Sequence, residues 1–211
     1  MAEKPIIFST EMVQAILNGR KTQTRRVVKP QPQMINGKFE HSGFSEDAWP
    51  EPNVYLALTP SGKFGLNKPP YYRSPYSFGD ILWVRETWKR LPDKLYAYKA
   101  SPETLKDKQG FQWEITDKWK PSIHMPREAA RIFLEVKNVR VERVQEITVE
   151  DAIAEGWPRV QELFPLVNTE DKAIGWFRRL WDELSMKTRG SDWYTNEWVW
   201  VYDFKKVEAN Q

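Results

Sequence analysis

Strand-like segments outnumber helical ones in this chain of 211 residues, and no strand–helix–strand rhythm orders them. That pattern argues against a doubly wound parallel sheet. It predicts an α+β fold, mainly β: a small barrel with flanking helices, in a single domain over residues 1–211. Alternating or continuous apolar runs predict strands at 5–9, 81–88, 94–99, 132–144 and 198–204, with 111–115 a further candidate and 119–125 extended. The stretch 132–144 is long enough to be one bent strand. Helical spacing predicts helices over 10–18, 147–156 and 173–185. Ser9 or Thr10 caps the first. Thr148 and Asp151 form a capping-box variant on the second, and Gly19 and Gly156 stop the two in the left-handed region. In the third, Ile174, Phe177, Leu180, Trp181 and Leu184 share a stripe.

Two stretches read as insertions, at about 29–79 and 91–118. The first is rich in Pro, Gly, Ser and Asn. Its Phe39, Phe44, Trp49, Tyr71, Tyr72 and Tyr76 favour a packed, lid-like loop over a disordered one.

The aromatic load is heavy, at 11 Trp, 8 Tyr and 10 Phe, which suits packing first and stacking on flat rings second. Net charge is only +3, too little for a polycation that coats nucleic acid, but it is unevenly placed. Residues 1–30 carry Lys4, Arg20, Lys21, Arg25, Arg26 and Lys29 against Glu3 and Glu11. A local basic site is therefore expected rather than a basic protein. With no cysteine there are no disulfides and no thiolate metal sites. His41 and His124 lie far apart, so no zinc site and no cofactor are expected, and a carboxylate-bound Mg²⁺ stays open. The absence of a signal-like start or a membrane-length apolar run predicts a cytoplasmic protein with no membrane partner.

The chemistry-bearing stretch is Gly19-Arg20-Lys21-Thr22-Gln23-Thr24-Arg25-Arg26. A lysine desolvated beside other cations loses proton affinity and can serve as a base or as a donor to an oxyanion. Most lysines after a helix are simply solvated, and Thr24 could do no more than bond a turn. Glu155 stands one residue before a helix-stopping glycine, where a carboxylate opposes the helix dipole unless a cation faces it. Lys21 or Arg26 is the natural partner. In 81–88, Leu82, Val84 and Glu86 share one face and Ile81, Trp83, Arg85 and Thr87 the other. Glu86 is thus a candidate buried carboxylate, to be met by an arginine, a base edge or a cross-strand salt bridge. Trp83, Trp88 and Trp119 suit either core packing or ring stacking, His124 lies in the neighbouring extended segment, and Arg127 opens a short helix or turn over 127–130.

These residues resemble those of a known family. Ile16–Arg26 is similar to the opening signature of ASCH domains, relatives of the PUA domain with a PUA-like β-barrel. The segment 79–88 resembles that family's barrel strand, and 132–156 its next strand and helix. Trp119–Arg127 resembles a segment of larger phage and prophage ASCH proteins. The resemblance covers about two thirds of the chain. A compact bacterial member of the superfamily hydrolyses N4-acetylcytidine with a Lys, a Thr and a Glu. The resemblance places those roles on Lys21, Thr24 and Glu155. At position 25 this chain has Arg where that enzyme is apolar.

The first reading is a cleft that takes a modified nucleoside or RNA, with amide hydrolysis of an N4-acylated cytidine if it is enzymatic. Lys21, Thr24 and Glu155 would be catalytic. Arg20, Arg25, Arg26, Trp83, Glu86, Trp88, Trp119, His124 and Arg127 would bind substrate. Rival readings are a non-catalytic RNA or single-strand binding module, a metal-assisted ribonuclease using Glu86 and Glu155, and a phage assembly protein. Lys21→Ala is expected to leave the fold intact, and Arg25 with Arg26 to supply phosphate contacts.

Overall fold

Ser9 starts the first helix: its backbone is extended, and its hydroxyl accepts from the Met12 amide at 3.3 Å. This chooses between the two expected caps. Strand β1 (Glu3–Ile7) precedes it and helix α1 (Thr10–Leu17) follows, burying Val13, Ala15 and Ile16. The computed structural model describes residues 2–29, 31, 55–57, 71–92, 95–101, 118–158, 169–185 and 192–208. Most of the first predicted insertion, the candidate strand at 111–115 and the aromatics Phe39, Phe44 and Trp49 lie outside the described residues.

The remaining elements are β2 (Gln23–Val27), β3 (Tyr55–Ala57), β4 (Tyr71–Arg73), β5 (Ile81–Arg85), β6 (Trp88–Arg90), β7 (Tyr96–Tyr98), β8 (Phe133–Arg143), α2 (Val149–Ala154), α3 (Thr169–Ser185) and β9 (Trp198–Val207). The architecture is mixed α+β and mainly strand. Five strands form the main sheet in the order β1-β5-β8-β9-β2, and β3-β4 and β6-β7 make separate two-stranded pairs. β1 runs parallel to β5, whereas β8 and β2 are both antiparallel to β9. β8 bends at a register shift between Val136 and Asn138, as its length suggested.

The sheet is open: among the described residues no backbone ladder joins β1 to β2, so the expected barrel is not closed by strand pairing. The two edges are nonetheless near each other, because the Arg26 guanidinium donates to the Ile7 carbonyl at 2.8 Å.

β9 explains why two hydrophobic cores form. Its alternation sends Trp200, Tyr202 and Phe204 into a core with Ile6, Phe8, Leu82, Val84 and Leu134. The intervening Val199 and Val201 meet Ala152, Trp157, Phe177 and Trp181 of the helical layer. Helix α3 buries Ala173, Phe177 and Trp181, an i, i+4 stripe. Leu184, expected on that stripe, is exposed, and Ser185 is turned inward instead.

The predicted strand 81–88 is divided. β5 stops at Arg85, and the chain leaves the main sheet so that Trp88 pairs with Tyr98 in the β6–β7 hairpin. The segment 119–125, expected to be extended throughout, closes into a 3₁₀ turn at Ser122–His124 after Pro121.

Candidate active site around a buried lysine–carboxylate pair

Helix α1 ends at Gly19, whose φ of +71° sits in the left-handed region that glycine enters freely. The turn lets the Arg20 and Lys21 amides both donate to the Ala15 carbonyl, at 2.8 and 3.0 Å. Lys21 then forms an antiparallel bridge with Glu155, and the Thr22 amide donates to the Ala154 carbonyl at 2.8 Å. On the far side of that bridge, α2 starts with the predicted capping box. The Thr148 hydroxyl accepts from the Asp151 amide at 3.1 Å, and the Asp151 carboxylate accepts from the Thr148 amide. The helix ends on Glu155 as its C-cap, and Gly156 follows at φ +105°. A Cβ at 156 would stand 3.1 Å from the Ala15 Cβ and 3.2 Å from the Lys21 Cβ. Glycine is therefore needed there twice, for its backbone angle and for the close approach.

The bridge delivers two charged side chains to one place. Lys21 Nζ donates to Glu155 Oε2 at 2.6 Å and to the Glu155 carbonyl at 2.9 Å. The Lys21 side chain is 0% exposed and that of Glu155 3%. Burial pushes the Lys21 ammonium down. Glu155 opposes that shift by charge and hydrogen bond without cancelling it, and the positive charges of Arg26 and Arg25 add to it. Phe8 supplies an aromatic surface: Lys21 Nζ lies 5.7 Å and the Arg26 guanidinium 5.2 Å from its ring centre.

Thr24 is buried in β2, paired with Tyr202 of β9. Strand alternation puts it on the same side of the sheet as Arg26 and opposite Arg25. Arg25 does not line a cleft. Its side chain, 1% exposed, points to the helical layer, 5.6 Å from the Phe177 ring centre. There it donates to Asp151 at 2.8 Å, Glu142 at 3.1 Å, Glu155 Oε1 at 3.3 Å and Gln23 Oε1. The sequence reading placed Arg25 against phosphate. The structure surrounds it with carboxylates instead, because position 25 faces α2 and α3.

Arg140 extends this network, bonding Glu142, Asp151 and Asp203, while Gln23 bonds Asp151 and Asp203. Glu142, Arg140 and Asp203 were not singled out from the sequence. The signal was present: Arg140 and Glu142 share one face of a strand by period two, and Asp203 interrupts an aromatic run.

The other expected binding residues are dispersed. Arg20 is exposed and donates to the Gly156 carbonyl at 2.7 Å. Glu86 is buried at 1% and held by Arg131 through two hydrogen bonds, at 2.8 and 3.0 Å. Trp88 packs with Tyr98, Met125 and Ala129, and Trp119 packs against Leu91 and Ala97. Trp83 lies beside the Arg85 guanidinium. His124 is exposed, and Arg127 pairs with Glu3. Arg20 thus stays beside the Lys21–Glu155 bridge, whereas Trp83, Glu86, Trp88 and Trp119 belong to the β5–β7 part of the fold. Two aromatic residues that the expected site omitted, Tyr76 and Tyr202, lie edge to face at 5.1 Å, and the Tyr202 hydroxyl is 2.8 Å from that of Ser74.

A cavity of about 660 Å³ opens on the outer side of the Lys21–Glu155 bridge. It is lined by Gly19, Arg20, Thr22, Glu150, Ile153, Ala154, Trp157 and Pro158, and so by neither member of the pair. Among the described residues no group of three or more His, Asp or Glu side chains is placed to hold a metal ion. No described helix is long and apolar enough to cross a membrane. The chain matches no family model, no curated protein and no solved structure.

Proposed function

We propose that this protein is a PUA-like, ASCH-type hydrolase that cleaves the amide of an N4-acylated cytidine or a close relative, free or within RNA. The observation that carries the reading is the Lys21–Glu155 pair, fully buried and 2.6 Å apart. Its lysine has a lowered proton affinity, and Thr24 stands three residues farther along the same chain segment. A solvated lysine would have neither the buried partner nor the lowered proton affinity.

The chemistry is a balanced hydrolysis. Lys21, once it has passed a proton to Glu155, takes a proton from the attacking oxygen, supplied by Thr24 or by a water that Thr24 orients. The oxygen adds to the acyl carbon, and the C–N bond then breaks. The departing N4 leaves with that proton, and Glu155 receives and returns protons through Lys21 Nζ. Where water attacks, the products are a carboxylic acid and the free amino base. Where Thr24 attacks, the amino base leaves first, and a water deprotonated by Lys21 then cleaves the acyl–Thr24 ester, releasing the acid and restoring the hydroxyl. Backbone N–H groups near the turn would stabilise the oxyanion. Because Nζ has no solvent exposure, substrate reaches it only through a movement of neighbouring side chains.

The RNA-binding alternative loses support from Arg25, since that cation is spent on internal carboxylates. The ribonuclease alternative loses support from Glu86 and Glu155, which are each engaged by a cation and not by each other. The test is incubation of the protein with N4-acetylcytidine and with acylated cytidine in tRNA, read by mass spectrometry. Release of cytidine by the wild type and its loss in Lys21→Met are expected. A wild type inactive on every acylated pyrimidine tried ends this reading.

A further inference from the structure

The Glu155 carboxylate is held from two sides, and its two oxygens have different partners. Oε2 accepts from Lys21 Nζ at 2.6 Å, whereas Oε1 faces Arg25 Nη1 at 3.3 Å. We propose that Arg25 is a positioning residue: it claims Oε1 of Glu155 and thereby fixes Oε2 as the one oxygen that serves Lys21. The inference rests on the reading of Lys21 and Glu155 as the reacting pair, and it gives a role to a residue the expected phosphate site would have used otherwise.

The argument is geometric. A carboxylate at a helix C-terminus next to glycine is free to turn about its last torsion. A single lysine contact would leave that torsion loosely set. Arg25 cannot swing with it, because its own fork is clamped by Asp151 from α2, Glu142 from β8 and Gln23 from β2, over the Phe177 ring from α3. Asp151 is in turn held by Gln23 and Arg140, and Arg140 by Glu142 and Asp203. The orientation of Glu155 is thus referred to three strands and two helices, not to one side chain. Arginine suits this use because its planar fork has five donors and remains charged. The charged groups facing Lys21 itself are Glu155, Arg25 and Arg26.

The experiment reads Lys21 directly, so that it does not depend on knowing the substrate. Protein labelled with ¹⁵N at lysine Nζ is titrated by NMR as wild type, Arg25→Met and Arg25→Lys, with the Lys21 signal assigned by its loss in Lys21→Met. Steady-state hydrolysis of N4-acetylcytidine is measured on the same proteins. Removing the Arg25 cation is expected to raise the Lys21 midpoint and to leave the Glu155 carboxylate free to turn. The expected kinetic effect is a fall in kcat of about tenfold to a hundredfold, with KM within about twofold. Arg25→Lys, which keeps the charge but not the fork, is expected to keep most of the midpoint and lose part of kcat. A Lys21 midpoint that stays in place in a folded Arg25→Met protein overturns the proposal. Should that variant not fold, Arg25→Lys decides: full wild-type kcat overturns the proposal, and a reduced kcat with unchanged KM supports it. A wild type without hydrolase activity ends the hydrolase reading alone, and the NMR comparison still decides whether Arg25 acts on Lys21.

Discussion

Lys21 and Glu155 are joined twice, once by their backbones as an antiparallel bridge and once by their side chains at 2.6 Å. The residues are 134 positions apart in sequence. This contact ties the turn after α1 to the end of α2, and it does so inside the protein. Removing one partner of such a pair leaves an unpaired buried charge, at a cost of about 3–5 kcal/mol. The expectation from sequence that Lys21 can be replaced without harm to the fold is therefore revised. Lys21→Met and Glu155→Leu should each lower stability by about that amount, and the double variant should recover most of it. Urea denaturation of the four proteins of the cycle measures the coupling. Additive losses would show that the side chains do not interact.

Gly156→Ala is predicted to be much more costly than Gly19→Ala. Both glycines have positive φ, but a Cβ at 156 meets Ala15 and Lys21 at 3.1 and 3.2 Å, while one at 19 meets nothing within 4 Å. The Gly19 variant should lose only the conformational term, about 1 kcal/mol. The Gly156 variant adds a clash and pushes Lys21 away from Glu155. Thermal denaturation gives the ranking, and equal losses would contradict the close approach at 156.

Asp151 should contribute a pH-dependent share of stability. Burial pushes its carboxyl up. Gln23, Arg25, the Thr148 amide and Arg140 outweigh that and hold it below the usual value. A lowered folded value means the folded state binds fewer protons than the unfolded state. The contribution is then complete above about pH 4 and is lost as pH falls through the folded value. The stability gap between wild type and Asp151→Asn, measured by urea unfolding, should narrow as pH is lowered from 7 toward 3. A gap that does not change with pH would mean that the carboxylate charge is not what these partners recognise.

Glu86 and Arg131 form a second ion pair that shares no partner with the first, its carboxylate buried and its arginine partly exposed. Arg131 also donates to Ser101 at 2.9 Å and stacks 4.0 Å from the Tyr98 ring centre, so it links β5 to the β6–β7 hairpin. Glu86→Ala should cost less than the loss of Lys21 or Glu155, because Arg131 keeps solvent contact and its other partners. It should leave hydrolysis by the surviving folded protein unchanged. Loss of activity in a folded Glu86 variant would move this carboxylate into the site.

Much of the framework was legible in the sequence. The cap at Ser9, the box at Thr148 and Asp151, and the stops at Gly19 and Gly156 are local, and local chemistry decides them. The inward face of Leu82, Val84 and Glu86 followed from period two. The residue opposite Glu155 was narrowed to Lys21 or Arg26 by charge alone. Burial was not legible, because it depends on segments brought from far away. Nothing near Lys21 in sequence says that Glu155 will cover it. Arg25 was misplaced for the same reason: a cluster of cations reads as one surface, but successive strand residues face opposite sides. The division of 81–88 was hidden too, since the alternation runs on past Arg85 while the pairing partner changes.

The position of β9 in the sheet has a consequence for vectorial synthesis. Residues 198–207 follow every other strand in the chain, yet they lie between β8 and β2, which both emerge from the ribosome earlier. Until this ribbon arrives, β8 and β2 each present an unzipped flank, and both cores wait for Trp200, Tyr202, Val199 and Val201 to fill them. A nascent chain stalled before residue 198 is thus expected to be a client for chaperones that hold exposed apolar edges.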